Sequence, residues 1–128
     1  MSFNRHLGLA AGADGAVVLD TRPEHEVLPG TIHFAVLTTL AEVSAAQAVG
    51  RAVVPASVQV NLLARARPGR LVGHGRVLRS GRRLAVAEGE VYQVPAGDGA
   101  AGQPGMEGGA AGELVAKAVV TFAVLDGR

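Results

Sequence analysis

The chain has 128 residues, of which 48% are hydrophobic and 18% charged, with a formal net charge of +1; that length supports one domain and would starve a second core. Cysteine is absent, which excludes disulfides, thiolate metal sites and a cysteine nucleophile. Aromatic residues make up only 3%, so the core must be built from Val, Leu and Ala, a composition that leaves a lone protomer modestly stable and favours oligomerisation.

From Met1 the sequence runs through Leu7-Gly8-Leu9 into Gly and Asp, without a basic, apolar, cleavable leader, so a cytoplasmic location is expected. Ala16–Leu19 follows a turn signal at Asp14-Gly15 and reads as a strand. Thr21–Gly30, with two prolines, reads as a loop. From Thr31 to Val49 the apolar residues Ile32, Val36, Leu40 and Val43 recur at helical spacing, and Gly50 follows as a stop signal. The other sides of this helix carry Leu37, Ala41, Ala45 and Ala48. A helix apolar nearly all round is expected to be wrapped by other structure. His33, Thr38, Thr39, Glu42, Ser44 and Gln47 argue for a buried helix and against a membrane span.

Ser57–Arg67 alternates, with Val58, Val60, Leu62, Ala64 and Ala66 on one face, and reads as a half-buried strand. Turns at Pro68-Gly69-Arg70 and Ser80-Gly81 introduce strands over Leu71–Arg79 and Arg83–Val94, and Glu113–Leu125 is a last strand. These four consecutive strands are expected to form a meander. The segment from Ala96 to Gly112 is dominated by glycine and alanine. It is expected to be a flexible hairpin tip, because it buries too little surface to offset the entropy of ordering. The order of strand, long helix and four antiparallel strands predicts an α+β domain over residues 1–128, a curved sheet around one helix.

Charge is unevenly placed. Between Val43 and Ala87 there are eight arginines (51, 65, 67, 70, 76, 79, 82, 83) and no acidic residue, so this region is expected to attract an anion. A nucleic-acid partner is not expected, because Phe3, Phe34, Tyr92 and Phe122 are the only aromatics and interleaved stacking platforms are missing. His6, His25 and His74 have no ligand-like spacing with one another or with carboxylates, so neither a metal nor a cofactor is expected.

Pro23-Glu24-His25 followed by Gly30-Thr31-Ile32-His33-Phe34-Ala35-Val36-Leu37-Thr38-Thr39-Leu40-Ala41-Glu42 resembles the hotdog-fold thioesterases of the phenylacetate-degradation and 4-hydroxybenzoyl-CoA type. Their string is close to N-x-x-G-x-x-H-G-G-x-x-x-x-L-x-D/E. Gly30, His33, Leu40 and Glu42 fall on the matching positions without a gap. Pro55-Ala56-Ser57-Val58-Gln59-Val60-Asn61 resembles the next strand of the family, and Arg79-Ser80-Gly81-Arg82-Arg83 its R-x-G-R hairpin. Two positions depart from the string: Val27 stands where the family has asparagine, and Phe34-Ala35 where it has two glycines.

The resemblance implies a hotdog fold, with a long central helix wrapped by a curved antiparallel sheet, and hydrolysis of an acyl-CoA thioester. Hydrolysis needs an oxyanion donor and a nucleophile or base. The expected donor is the free N–H of Phe34 at the helix start. Glu42 is the expected catalytic carboxylate, and His33 contributes directly or caps the helix. Ser57 is expected nearby by resemblance. Arg79, Arg82 and Arg83, around Gly81, are expected to receive the CoA phosphates. Within one helix His33 and Glu42 diverge. The resemblance therefore implies a homodimer with antiparallel helices and shared sites, a homotetramer being the further assembly. Two other readings stand beside this one: Glu42 as a structural residue salt-bridged to Arg51 or Arg65, and a non-catalytic module that binds acyl-CoA or serves only in assembly, favoured by Val27, Phe34 and Ala35.

Overall fold

A computed structural model describes residues 2–95 and 112–125; the glycine-rich segment expected to be a flexible tip, apart from Gly112, lies outside the described residues. A short helix that sequence reading did not anticipate, α1 (Phe3–Leu7), comes first, its start capped by Ser2 Oγ, which accepts the Arg5 N–H. β1 (Ala10–Ala11) and β2 (Val17–Asp20) follow as an antiparallel pair. The stretch expected to be a loop instead contains β3 (Glu26–Leu28), paired with β4 (Thr31–Ile32) in a two-stranded sheet. The long helix, α2, spans Phe34–Val49, and Gly50 ends it in the left-handed conformation. It starts three residues later than expected. Ile32 donates its N–H to Ala66 O in an extended segment, and His33 is the N-cap.

The four long strands are β5 (Val53–Leu62), β6 (Arg70–Ser80), β7 (Leu84–Gln93) and β8 (Glu113–Val124). Their order corrects the simple meander. The large sheet runs β1-β2-β6-β7-β8-β5, so β5 pairs with β8 at the far edge and not with its successor β6. The connection through Pro68-Gly69 is therefore a crossover past the ends of β8 and β7, bonded to Val115 and Gln93, and not a hairpin. β5 also ends earlier than expected, because Leu63 and Ala64 both turn their N–H groups to Val115 O.

Glycine sets how closely helix and sheet approach. A Cβ at Gly89 would collide with the carbonyl of Ala41, one at Gly75 with that of Ser44, and one at Gly73 with Ser44 Oγ. The backbone of α2 thus rests directly on β6 and β7, with Leu40, Ala41, Ser44 and Ala45 buried at the contact. The buried Ser44 hydroxyl is satisfied by donating to Leu40 O at 2.7 Å. Around this seam Leu19, Leu71, Val91, Val115, Val120 and Phe122 close one core. Fixing the seam also fixes the opposite helix face, along which Ala35, Thr38, Thr39, Glu42 and Ala46 remain at least partly exposed.

Candidate active site

The helix start is built by two local devices. The loop before it is pinned where His33 N–H donates to His25 O at 2.9 Å. His33 then caps the helix, its Nδ1 accepting the Ala35 N–H at 3.0 Å. An accepting Nδ1 is unprotonated, so in the neutral ring Nε2 carries the hydrogen. The Val36 N–H bonds to His33 O. Of the first three helical N–H groups, that of Phe34 alone has no acceptor among the described residues, and it lies at the positive end of a 16-residue helix. The Phe34 ring is 57% exposed and stacks on His33 at a centroid distance of 4.8 Å.

Glu42 lies mid-helix, about 12 Å of rise beyond Phe34. It is partly buried, and burial alone pushes its carboxyl above the ordinary carboxylate range. No hydrogen bond or ion pair reaches it among the described residues, so the salt bridge to Arg51 or Arg65 is not formed within the protomer. Arg51 is instead committed elsewhere: its Nη1 donates to Ser80 Oγ at 3.1 Å and to Gly81 O at 2.7 Å. That contact, whose function sequence reading missed, ties the β6–β7 hairpin to the C-terminal end of α2.

Arg79, Arg82 and Arg83 surround that hairpin and are exposed. No ion pair or side-chain hydrogen bond engages their guanidinium groups among the described residues. Gly81 shapes the turn, its N–H donating to Leu84 O at 2.8 Å. The structure thus separates the expected site residues within the single chain: Phe34 at one end of a helix about 24 Å long, Glu42 in the middle, the arginines at the other end. Ser57 is apart again. It pairs with Thr121 on the exposed edge strand β5, whose alternation places it on the sheet face away from α2.

Sequence reading also missed an apolar cavity of about 330 Å³ beside Phe34, walled by Ile32, Leu37, Leu62 and Leu63. The signal was the Leu62-Leu63 pair at the end of an alternating strand. On the outer sheet face, Glu88 pairs with Arg76 at 3.0 Å and Lys117 at 3.3 Å, and Glu90 pairs with Lys117 at 3.2 Å. Tyr92 donates its hydroxyl to Glu90 at 2.6 Å, and burial followed by this bond pushes the phenol up to about 12. The hydrogen bond from Arg76 holds Glu88 below the ordinary range, and that from Tyr92 does the same for Glu90. Among the described residues no group of three His, Cys, Asp or Glu side chains is arranged to hold a metal, and no helix is long and apolar enough to cross a membrane.

Comparison with known proteins adds a family and a fold. The profile of the thioesterase superfamily matches residues 29–100, which include Phe34 and Glu42. No curated protein matches the chain. Among solved structures, a point mutant of the phenylacetic acid degradation protein PaaI from Thermus thermophilus is 26% identical, with a TM-score of 0.72 over 96% of this chain and 98% of that one. A conserved protein of Pseudomonas aeruginosa is also 26% identical, with a TM-score of 0.71 over 98% and 94%. A Bacillus halodurans protein crystallised with CoA shares the fold at 19% identity, with a TM-score of 0.73 over 95% and 74%.

Proposed function

Because the chain belongs to the thioesterase superfamily, we propose that it hydrolyses an acyl-CoA ester to a free acid and CoA, with Glu42 as the catalytic carboxylate and the Phe34 N–H as the oxyanion donor. The observation that carries this reading is the Glu42 carboxyl itself: partly buried, without a partner among the described residues, and raised in pKa by burial. A structural carboxylate would be paired, whereas one held unpaired and partly desolvated is poised to activate water or attack a carbonyl. The unbonded Phe34 N–H supplies what the developing oxyanion needs. His33 acts by capping, which consumes the Ala35 N–H and leaves that of Phe34 pointing out.

One protomer does not bring Phe34 to Glu42, so the site is completed by a second copy. β5 is a ten-residue strand at the sheet edge; its Val54, Val58 and Leu62, and Leu63 just beyond its end, are at least 40% exposed. An edge of this length and apolarity calls for pairing. Pairing β5 with the partner's β5 lays the two α2 helices antiparallel, so the helix start of one protomer faces Glu42 of the other. It also puts Ser57 at the interface, on the sheet face away from α2, where its hydroxyl serves the pairing of the two strands and not the catalytic carboxylate. Arg79, Arg82 and Arg83 receive the phosphates of the CoA moiety, for which their unengaged guanidinium groups are suited. That a CoA complex exists for a protein of the same fold supports this choice.

The test is release of CoA from short-chain, long-chain and aromatic acyl-CoA esters by the native protein and by Glu42→Gln at equal oligomeric state. Turnover lost in the variant is expected. Replacing Arg79, Arg82 and Arg83 together by alanine is expected to raise KM for the CoA ester about tenfold or more while sparing the matching pantetheine thioester. No turnover on any ester would favour the non-catalytic acyl-CoA-binding or assembly module, the reading to which Val27, 54% exposed in place of an amide, points.

A further inference from the structure

The cavity beside Phe34 has a composition that speaks to the acyl group. Ile32 and Leu37 are almost fully buried and form its floor, while Leu62 and Leu63, about half exposed, form the wall on the β5 side. Phe34 supplies a further wall, and its ring stacks on His33 at an interplanar angle of 27°. Among the described residues no acidic side chain lines the cavity, and Arg65 is the one charged residue in its lining. Phe34 is the residue whose backbone N–H is free, so a carbonyl bound there presents its acyl chain directly beside this ring.

We propose that this cavity is the acyl subsite, that it takes an uncharged hydrocarbon acyl group, and that the Phe34 ring sets the length of chain admitted. This rests on the thioesterase reading for the position of the carbonyl, but the cavity itself does not depend on it. Each methylene that enters removes apolar surface of the ligand from water. About fourfold in affinity or kcat/KM is expected per carbon, the equivalent of ~0.8 kcal/mol. The rise ends where the chain outgrows the space bounded by Phe34. A flexible long chain then meets the ring.

The experiment measures kcat/KM for a series of straight-chain acyl-CoA esters from acetyl to palmitoyl, with the native protein, Phe34→Ala and Leu63→Ala. In parallel, calorimetry measures Kd for thioether analogues of the same chain lengths, which cannot be hydrolysed. The native protein is expected to show a break in both series. Phe34→Ala, which leaves the N–H in place and removes no buried core, is expected to move the break toward longer chains. Leu63→Ala is expected to flatten the rise without moving the break. An unchanged break in Phe34→Ala overturns the proposal, as does affinity independent of chain length. Absence of turnover together with a Phe34-dependent break in Kd would instead sink the thioesterase reading and leave the subsite standing.

Discussion

The two faces of the molecule treat their carboxylates in opposite ways. On the outer sheet face Glu88 and Glu90 share Lys117 and are further bonded by Arg76 and Tyr92, and both are held below the ordinary range. On the exposed side of α2, Glu42 is partly buried without a partner among the described residues, and burial raises it. The first arrangement lowers the energy of the folded ionised state. The second raises it, a cost of the kind that persists at sites of chemistry. Loss of accessible surface alone does not distinguish the two, since Glu88 exposes less of itself to solvent than Glu42; the distinction lies in whether cations and donors surround the group.

The sharpest way to break this comparison is to neutralise one carboxylate at a time. Glu42→Gln is expected to lower kcat about 10²- to 10⁴-fold, whereas Glu88→Gln is expected to leave kcat within about twofold, because its partners lie on the other side of the sheet from α2. Equal losses in the two variants would remove the distinction. Next in size is the edge strand. Val58→Arg, on β5 but outside the cavity lining, is expected to shift the proposed dimer to monomer in analytical ultracentrifugation and to abolish turnover with it, while the outer-face ion pairs persist. A monomer with full activity would show that Glu42 needs no second copy.

The smallest effect, of the order of 1 kcal/mol, is on stability, and it carries a sign. Glu42 has a raised pKa in the folded state, so the folded protein holds this proton more tightly than the unfolded chain does. Its ionisation therefore costs stability as pH rises from the ordinary carboxylate range through the raised value. Glu88 has a lowered folded pKa, so its contribution is present above the ordinary range and fades as pH falls through the lowered value. Thermal denaturation at pH 7 is expected to find Glu42→Gln more stable than the native protein and Glu88→Gln less stable. Both differences should shrink toward zero in acid. The same shift places the ascending limb of a pH–kcat/KM profile above the ordinary carboxylate range.

The amino-acid sequence determined the helix, its near-uniform apolarity, the position of Glu42 on it and most of the strands, because these are written in spacings of two and of three to four residues. It also determined the departures at Val27 and Phe34-Ala35, of which Phe34 lines the apolar cavity at the helix start. Only the tertiary structure decided that β5 crosses to pair with β8, because strand partners far apart in sequence are chosen by the whole sheet and leave no local mark. It likewise decided that Gly73, Gly75 and Gly89 seat the helix backbone on the sheet, turning Glu42 away from it. The arginines made the same point. Read along the chain they are one basic run, yet Arg51 is spent holding the hairpin, Arg76 satisfies Glu88, and Arg79, Arg82 and Arg83 present guanidinium groups to solvent. Charge is a property of the residue, but its availability depends on which groups the fold brings within hydrogen-bonding distance, and those groups come from strands distant in sequence.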